Sequence, residues 1–233
     1  LDVLIPTGLA YAPDPLLAFT DNDIDAVTSS IKKFERKCRQ NGIEYRVHEE
    51  SDVFKIGDFI KETRFTDLVV ISQKLFFSHI EDDQPNSYMK RILHASECPV
   101  LIIPENYAPV THVTLAYDGK KESMFALKQF CYLFPHYTKL PAEIVYWVNK
   151  TDDEIPDIEY LEEFASRHFI NLNIKELFFD SEKYITEWSR KNRNSIFISG
   201  AYKRSWLSAL LKKSFIENMI TDSSALIFIA HNC

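Results

Sequence analysis

"ISGAYKRSWLSALLKKSFIENMITDSSALIFIAH", residues 198–231, decides the fold. It begins inside a short apolar run that closes on Gly200, crosses a polar segment and a helix candidate near 206–221, and ends in a second apolar run, 225–230. Apolar runs of this length joined by a helical crossover are the pattern of parallel strands. In an open α/β sheet, the turn after such a strand is where phosphate binds. Two things follow from the rest of the chain: whether the pattern repeats, and whether the crossover carries the residues a phosphate needs.

Upstream of Gly200 the alternation continues. "HVTLAY" (112–117) reads as a strand, and "KESMFALKQFCYLF" (121–134) as a helix with Met124, Leu127, Cys131 and Phe134 on its apolar stripe. "AEIVYWV" (142–148), "NLNIKELFF" (171–179) and "SIFISG" (195–200) are strands, separated by helices at 157–169 and 181–191. With "ALIFIA" (225–230) this half has five strands and helical crossovers, which predicts a mainly parallel, doubly wound sheet.

The first half repeats the later part of that order. "LDVLI" (1–5) is a strand; Ile24, Val27, Ile31, Phe34 and Cys38 mark a long amphipathic helix; "IEYRVHE" (43–49) is a strand and "VFKIGDFIKET" (53–63) a helix. "TDLVVIS" (66–72), a helix at 86–96 and "CPVLIIP" (98–104) close the unit. The endings 66–104 and 194–230 match as strand, polar crossover, helix and apolar strand, so an internal duplication is expected. The first unit then lacks the opening strand and helix that 112–134 supplies to the second. Natural truncation, a segment contributed from elsewhere and residues preceding Leu1 all remain open. Two prolines in "PENYAPVT" (104–111) mark the boundary, giving domains at 1–106 and 110–233.

Hydrophobic residues make up 45% of the 233 and charged residues 26%, a balance that excludes wholesale disorder. A net charge of −7 argues against a general binder of nucleic acid or anionic membrane. The sequence has no apolar run long enough to cross a bilayer and no secretory leader pattern, so a cytoplasmic location is the expectation. Cys38, Cys98, Cys131 and Cys233 form no metal or redox motif and read as free thiols.

In order and spacing these pieces resemble a tandem universal stress protein. "VTLAYDGKKESMFALKQF" is similar to that family's opening strand, Asp-Gly turn and first helix, and "TDLVVIS" and "SIFISG" to its fourth strands. "NSYMKRILHASECPVLIIP" is similar to its last helix and Cys-Pro-Val closing strand. The resemblance covers almost the whole chain. It implies two doubly wound, mainly parallel α/β domains of the adenine nucleotide alpha hydrolase-like architecture, with the first short of its opening strand and helix. It also implies pairing, either as self-association or between domains of one chain.

Nucleotide-binding members of the family place an Asp after the first strand and a Gly-x-x-Gly, nine-residue spacer, Gly-Ser/Thr pattern after the fourth. Gly200 stands at the first glycine, Lys203 at the second, Lys213 at the third, and Ser214 keeps the hydroxyl position. Glycine permits close backbone approach and positive φ there, and lysine puts a side chain in the way. Two readings of Lys203, Arg204, Lys212 and Lys213 stand: charge that replaces the lost backbone grip, or a solvated surface opposite Trp206, Leu207, Leu210, Leu211 and Phe215. Asp118 matches the family's adenosine-side aspartate; with Gly119 it equally suits a helix cap or an Asp-Gly turn. In the first half Ser72, Leu75, Asn86 and Ser87 occupy the corresponding positions, and no ATP site of the family type is expected.

Other clusters point to little chemistry. His79, Glu81, Asp82 and Asp83, and His48, Glu49, Glu50 and Asp52, read as acidic turns more readily than as metal sites. Cys98 has no neighbouring base. The expectation is a non-enzymatic stress-response or regulatory protein with no required cofactor, binding a small molecule or a protein partner. The alternative is an ATP- or AMP-binding protein with an altered phosphate loop and slow hydrolysis at most.

Overall fold

The computed structural model describes residues 21–47, 56–72, 87–104, 108–148, 154–178, 194–200 and 225–230. By compactness the chain falls into two units, Leu1–Phe59 and Ile60–Cys233.

In the first unit, α1 (Asp21–Gln40) carries Ile31 and Cys38 on its buried stripe, as the 3.6-residue periodicity predicts. The helix stops at Gly42, whose φ is 64° and whose Cβ position is open space, so glycine is needed there for the left-handed conformation alone. Ile43 N–H donates to the Cys38 carbonyl at 2.9 Å and Gly42 N–H to Arg39 at 3.3 Å, the two bonds of a Schellman cap. The strand expected at 43–49 does not form over 43–47. Its alternation buries no face, since Ile43 stays 42% exposed and Tyr45 instead meets the Phe34 ring edge-on. The expected strand 1–5 lies outside the described residues.

A second helix, α2 (Ile56–Thr63), leads to β1 (Val69–Ser72), α3 (Ser87–Ala95) and β2 (Val100–Ile103). Thr63 Oγ1 accepts from Glu97 N–H at 3.0 Å, and Arg64 grips both Glu97 carboxylate oxygens at 2.7 and 2.8 Å. Together they fix the end of α2 against the turn before β2.

The later elements are β3 (His112–Tyr117), α4 (Lys121–Leu133), a 3₁₀ turn (Tyr137–Lys139), β4 (Ala142–Val148), α5 (Ile158–His168), β5 (Leu172–Phe178), β6 (Ser195–Ser199) and β7 (Leu226–Ile229). The helices expected at 181–191 and 206–221 lie outside the described residues. Seven strands form one sheet in the order β1-β2-β7-β6-β3-β4-β5. Every neighbouring pair is parallel except β2 and β7. Val100, Leu101 and Ile102 face Ile229, Phe228 and Ile227 in antiparallel register. Strands of both expected domains therefore lie in one sheet and in one compact unit.

All residues of β6 and β7 are buried, because the sheet interior is covered on both faces; β7 is apolar throughout, and β6 is apolar between its two end serines, Ser195 and Ser199. One core forms where Val113, Leu115, Ile196, Ile198 and Phe228 meet α4 and α5. The buried face of α4 is Ser123, Ala126, Leu127, Phe130 and Cys131, while Met124 and Phe134 are half-buried. The stripe is thus rotated from the expected one, because Phe130 turns inward and sets its ring 5.7 Å from that of Phe228.

Candidate functional site

Within the second half the order β5-β4-β3-β6-β7 reverses between β3 and β6, whose register pairs Leu115 with Ile198. Ligands of doubly wound sheets bind at such a reversal, outside the carboxyl ends of the strands. Asp118 follows β3 there, and Gly200 follows β6. The structure thus brings Asp118, Gly119 and Gly200 to one edge, while Lys203, Lys213 and Ser214 lie outside the described residues.

Asp118 Oδ1 accepts the Lys120 N–H at 3.2 Å, an Asx turn, and its Oδ2 lies 4.0 Å from Lys120 Nζ. The helix cap is Lys120, in extended conformation and with no side-chain capping bond. Of the two structural roles open to Asp118, the turn is the one observed. Gly119 has φ 72°, and a Cβ there would lie 2.8 Å from Pro156 Cγ. Both the left-handed backbone and the proline ring therefore require glycine.

Gly200 is buried and shows no positive φ. Its Cβ would fall 2.1 Å from the Glu122 carbonyl carbon and 2.2 Å from the Ser123 nitrogen. Backbone packs on backbone where β6 ends against the first turn of α4, and this contact alone accounts for the glycine. Ser123 is buried in the same place and donates its hydroxyl to the Lys120 carbonyl at 2.8 Å.

Tyr117, at the end of β3, donates its hydroxyl to the Pro156 carbonyl at 3.0 Å. Burial, and then the nearby Asp157 and Asp118 charges and Tyr146, push the phenol above its ordinary pKa. At neutral pH it stays protonated, so it serves as a donor. Asp157, the N-cap of α5, holds φ 52° without a side-chain capping bond. A cavity of about 390 Å³ opens beside these residues, with Lys121, Met124 and Tyr160 in its wall. Tyr117, Asp157 and Tyr160 form no sequence motif; the one local hint is Asp157 directly after Pro156 at a helix start.

In the first half Ser72 ends β1 and Ser87 opens α3, whereas Leu75 and Asn86 lie outside the described residues. So do both expected acidic turns, His79 to Asp83 and His48 to Asp52. Among the described residues no three His, Cys, Asp or Glu side chains converge as metal ligands. Cys38, Cys98 and Cys131 are free thiols. Burial pushes the Cys98 thiol up, which makes it a poorer nucleophile, and its carbonyl accepts from the Ser96 hydroxyl at 2.8 Å. No helix among the described residues is long and apolar enough to cross a membrane.

No family model and no curated protein matches the chain by sequence. Solved structures do match by shape. A universal stress protein from Archaeoglobus fulgidus DSM 4304 superposes with a TM-score of 0.66 at 17% identity, over 99% of this chain and 85% of that one. A protein assigned to the same group from Pseudomonas aeruginosa UCBPP-PA14 gives 0.51 at 14% identity, over 88% and 78% of the two chains. A functionally unknown protein from Pseudomonas aeruginosa PAO1 gives 0.51 at 12% identity, over 99% and 92%. At these identities the likeness establishes the fold.

Proposed function

We infer, from a chain with the universal stress protein fold, a non-enzymatic stress-response or regulatory protein. It acts through the pairing of two related halves, 1–106 and 110–233, and through a small molecule or protein partner bound at the carboxyl edge of its sheet. The observation that carries this reading is the antiparallel register of β2 and β7, in which each closing strand covers the edge of the other. An open apolar edge of that kind would recruit another chain, and here the same chain supplies the cover.

The groups at the carboxyl edge are arranged for contact rather than for proton transfer. Asp118 is tied into its own turn and to Lys120, and the Tyr117 phenol is held as a donor. A cytoplasmic setting goes with this reading, as do the free thiols.

Adenine-nucleotide binding is the second reading, and the position of Asp118 beside the strand-order reversal favours it. Lys203, Lys213 and Ser214 would then supply the phosphate contacts with Gly200. Calorimetric titration of the purified protein with ATP and AMP separates the two. The regulatory reading predicts no saturable heat from either nucleotide. Saturable ATP binding that Asp118→Ala abolishes would replace it with the nucleotide reading.

A further inference from the structure

We propose that the cavity between the starts of α4 and α5 is a binding site for a small, single-ring aromatic carboxylate that carries a hydrogen-bond donor at its far end. This inference rests on the small-molecule part of the reading above and assigns it a place and a ligand class. The cavity adjoins the expected nucleotide crevice, sharing Gly119 with it, while Asp118 and Gly200 do not line it.

The cavity holds about 390 Å³, near the lower end of the roughly 300–1,000 Å³ of small-molecule sites, which suits one ring with short substituents. Buried Leu161 and half-buried Met124 give it an apolar floor, and Tyr117 and Tyr160 present aromatic rings. Tyr160 is 74% exposed, a large apolar surface left in water at the rim. A flat ring stacked there would cover it.

The charges set the orientation. Lys121 lines the cavity, and among the described residues its ammonium has no ion-pair partner; Lys120 beside it is already engaged by Asp118. The first turns of both helices also lack side-chain caps, so their positive dipole ends add to the attraction for an anion. Asp157 stands in the wall with its carboxylate free of a capping bond, so the group it meets must donate a hydrogen bond. One anionic end toward Lys121, a ring between the tyrosines and a donor toward Asp157 describe a hydroxy- or amino-substituted aromatic acid. A single free cation among the described lining residues suits one carboxylate better than a polyphosphate.

The test uses 4-hydroxybenzoate as the probe, with benzylamine and inorganic phosphate as controls, followed by amide chemical shifts and calorimetry on the full chain. Saturable binding of 4-hydroxybenzoate that moves the Lys121 and Tyr160 amides, with neither control saturating, is the expected result. Lys121 is exposed, so Lys121→Glu should melt with the parent and weaken the probe about tenfold or more. Tyr160→Ala, also at an exposed position, should weaken it as well. An absent response, or an affinity unchanged in Lys121→Glu, overturns the site. If the probe fails while ATP binds and Asp118→Ala abolishes that binding, the regulatory reading falls with it. If the probe fails and no nucleotide binds, only the site is lost.

Discussion

Replacing Gly200 by Ala tests whether that glycine is held by packing or by a ligand. The added Cβ would sit 2.1 Å from the Glu122 carbonyl carbon, against the 3.4 Å at which ordinary contact begins. Relief needs a retreat of 1.3 Å by helix backbone, which cannot swing aside as a side-chain tip can. Overpacking a tight core costs about 1–3 kcal/mol, and a clash with backbone belongs at the top of that range. A loss of about 3 kcal/mol lowers the melting temperature of a chain this size by roughly 6–12 °C. Thermal and urea unfolding of the ligand-free protein measure it, with Gly57→Ala in α2 as the control. Gly57 has nothing within 4 Å of its Cβ position, so alanine there should be neutral or stabilising by up to about 1 kcal/mol. If Gly200→Ala melts with the parent, the strand–helix contact is not what requires glycine, and a ligand phosphate becomes the better reason for it.

Three further outcomes follow from the same packing. Thr114 is 1% exposed in the middle of β3, and among the described residues its hydroxyl has no partner, so Thr114→Val should raise stability by about 1 kcal/mol in urea unfolding. Burial pushes the Cys131 thiol up to about 12 from 9.0; the folded chain resists forming the thiolate, so stability present below pH 9 falls as pH climbs toward 12, and a thiol reagent should label Cys131 only on unfolding. The hydrogen-bonded Arg64 guanidinium holds the Glu97 carboxyl below its usual 4.5. Its contribution is present above the ordinary glutamate value and lost as pH falls through the folded one, and carboxyl-carbon NMR should show the midpoint rising in Arg64→Ala.

Much of the sheet was legible because its strands announce themselves locally. β3 and β4 coincide with the expected segments, since Val, Leu and Ile runs are bounded by the Asp-Gly turn on one side and Pro141 on the other. The alternation at 43–47 carried the same local signal without a strand forming, because periodicity says which side chains could share a face and not whether a neighbour covers it. The role of Asp118 turned on the extended backbone of Lys120, a conformational detail that residue identity leaves open. The role of Gly200 depended on residues 122 and 123, far away in sequence and adjacent only after β6 settles beside β3. The cavity is likewise assembled from two helix starts, so no stretch of chain displays it.

The closing strands of the two halves, β2 and β7, pair with each other inside one chain. Isotope-filtered NMR on a mixture of labelled and unlabelled protein tests it without perturbing the buried strands. Short backbone proton contacts are expected between Leu101 and Phe228, and between Val100 and Ile229, within single labelled chains and in antiparallel register. Contacts found only between differently labelled chains, or in parallel register, would contradict it.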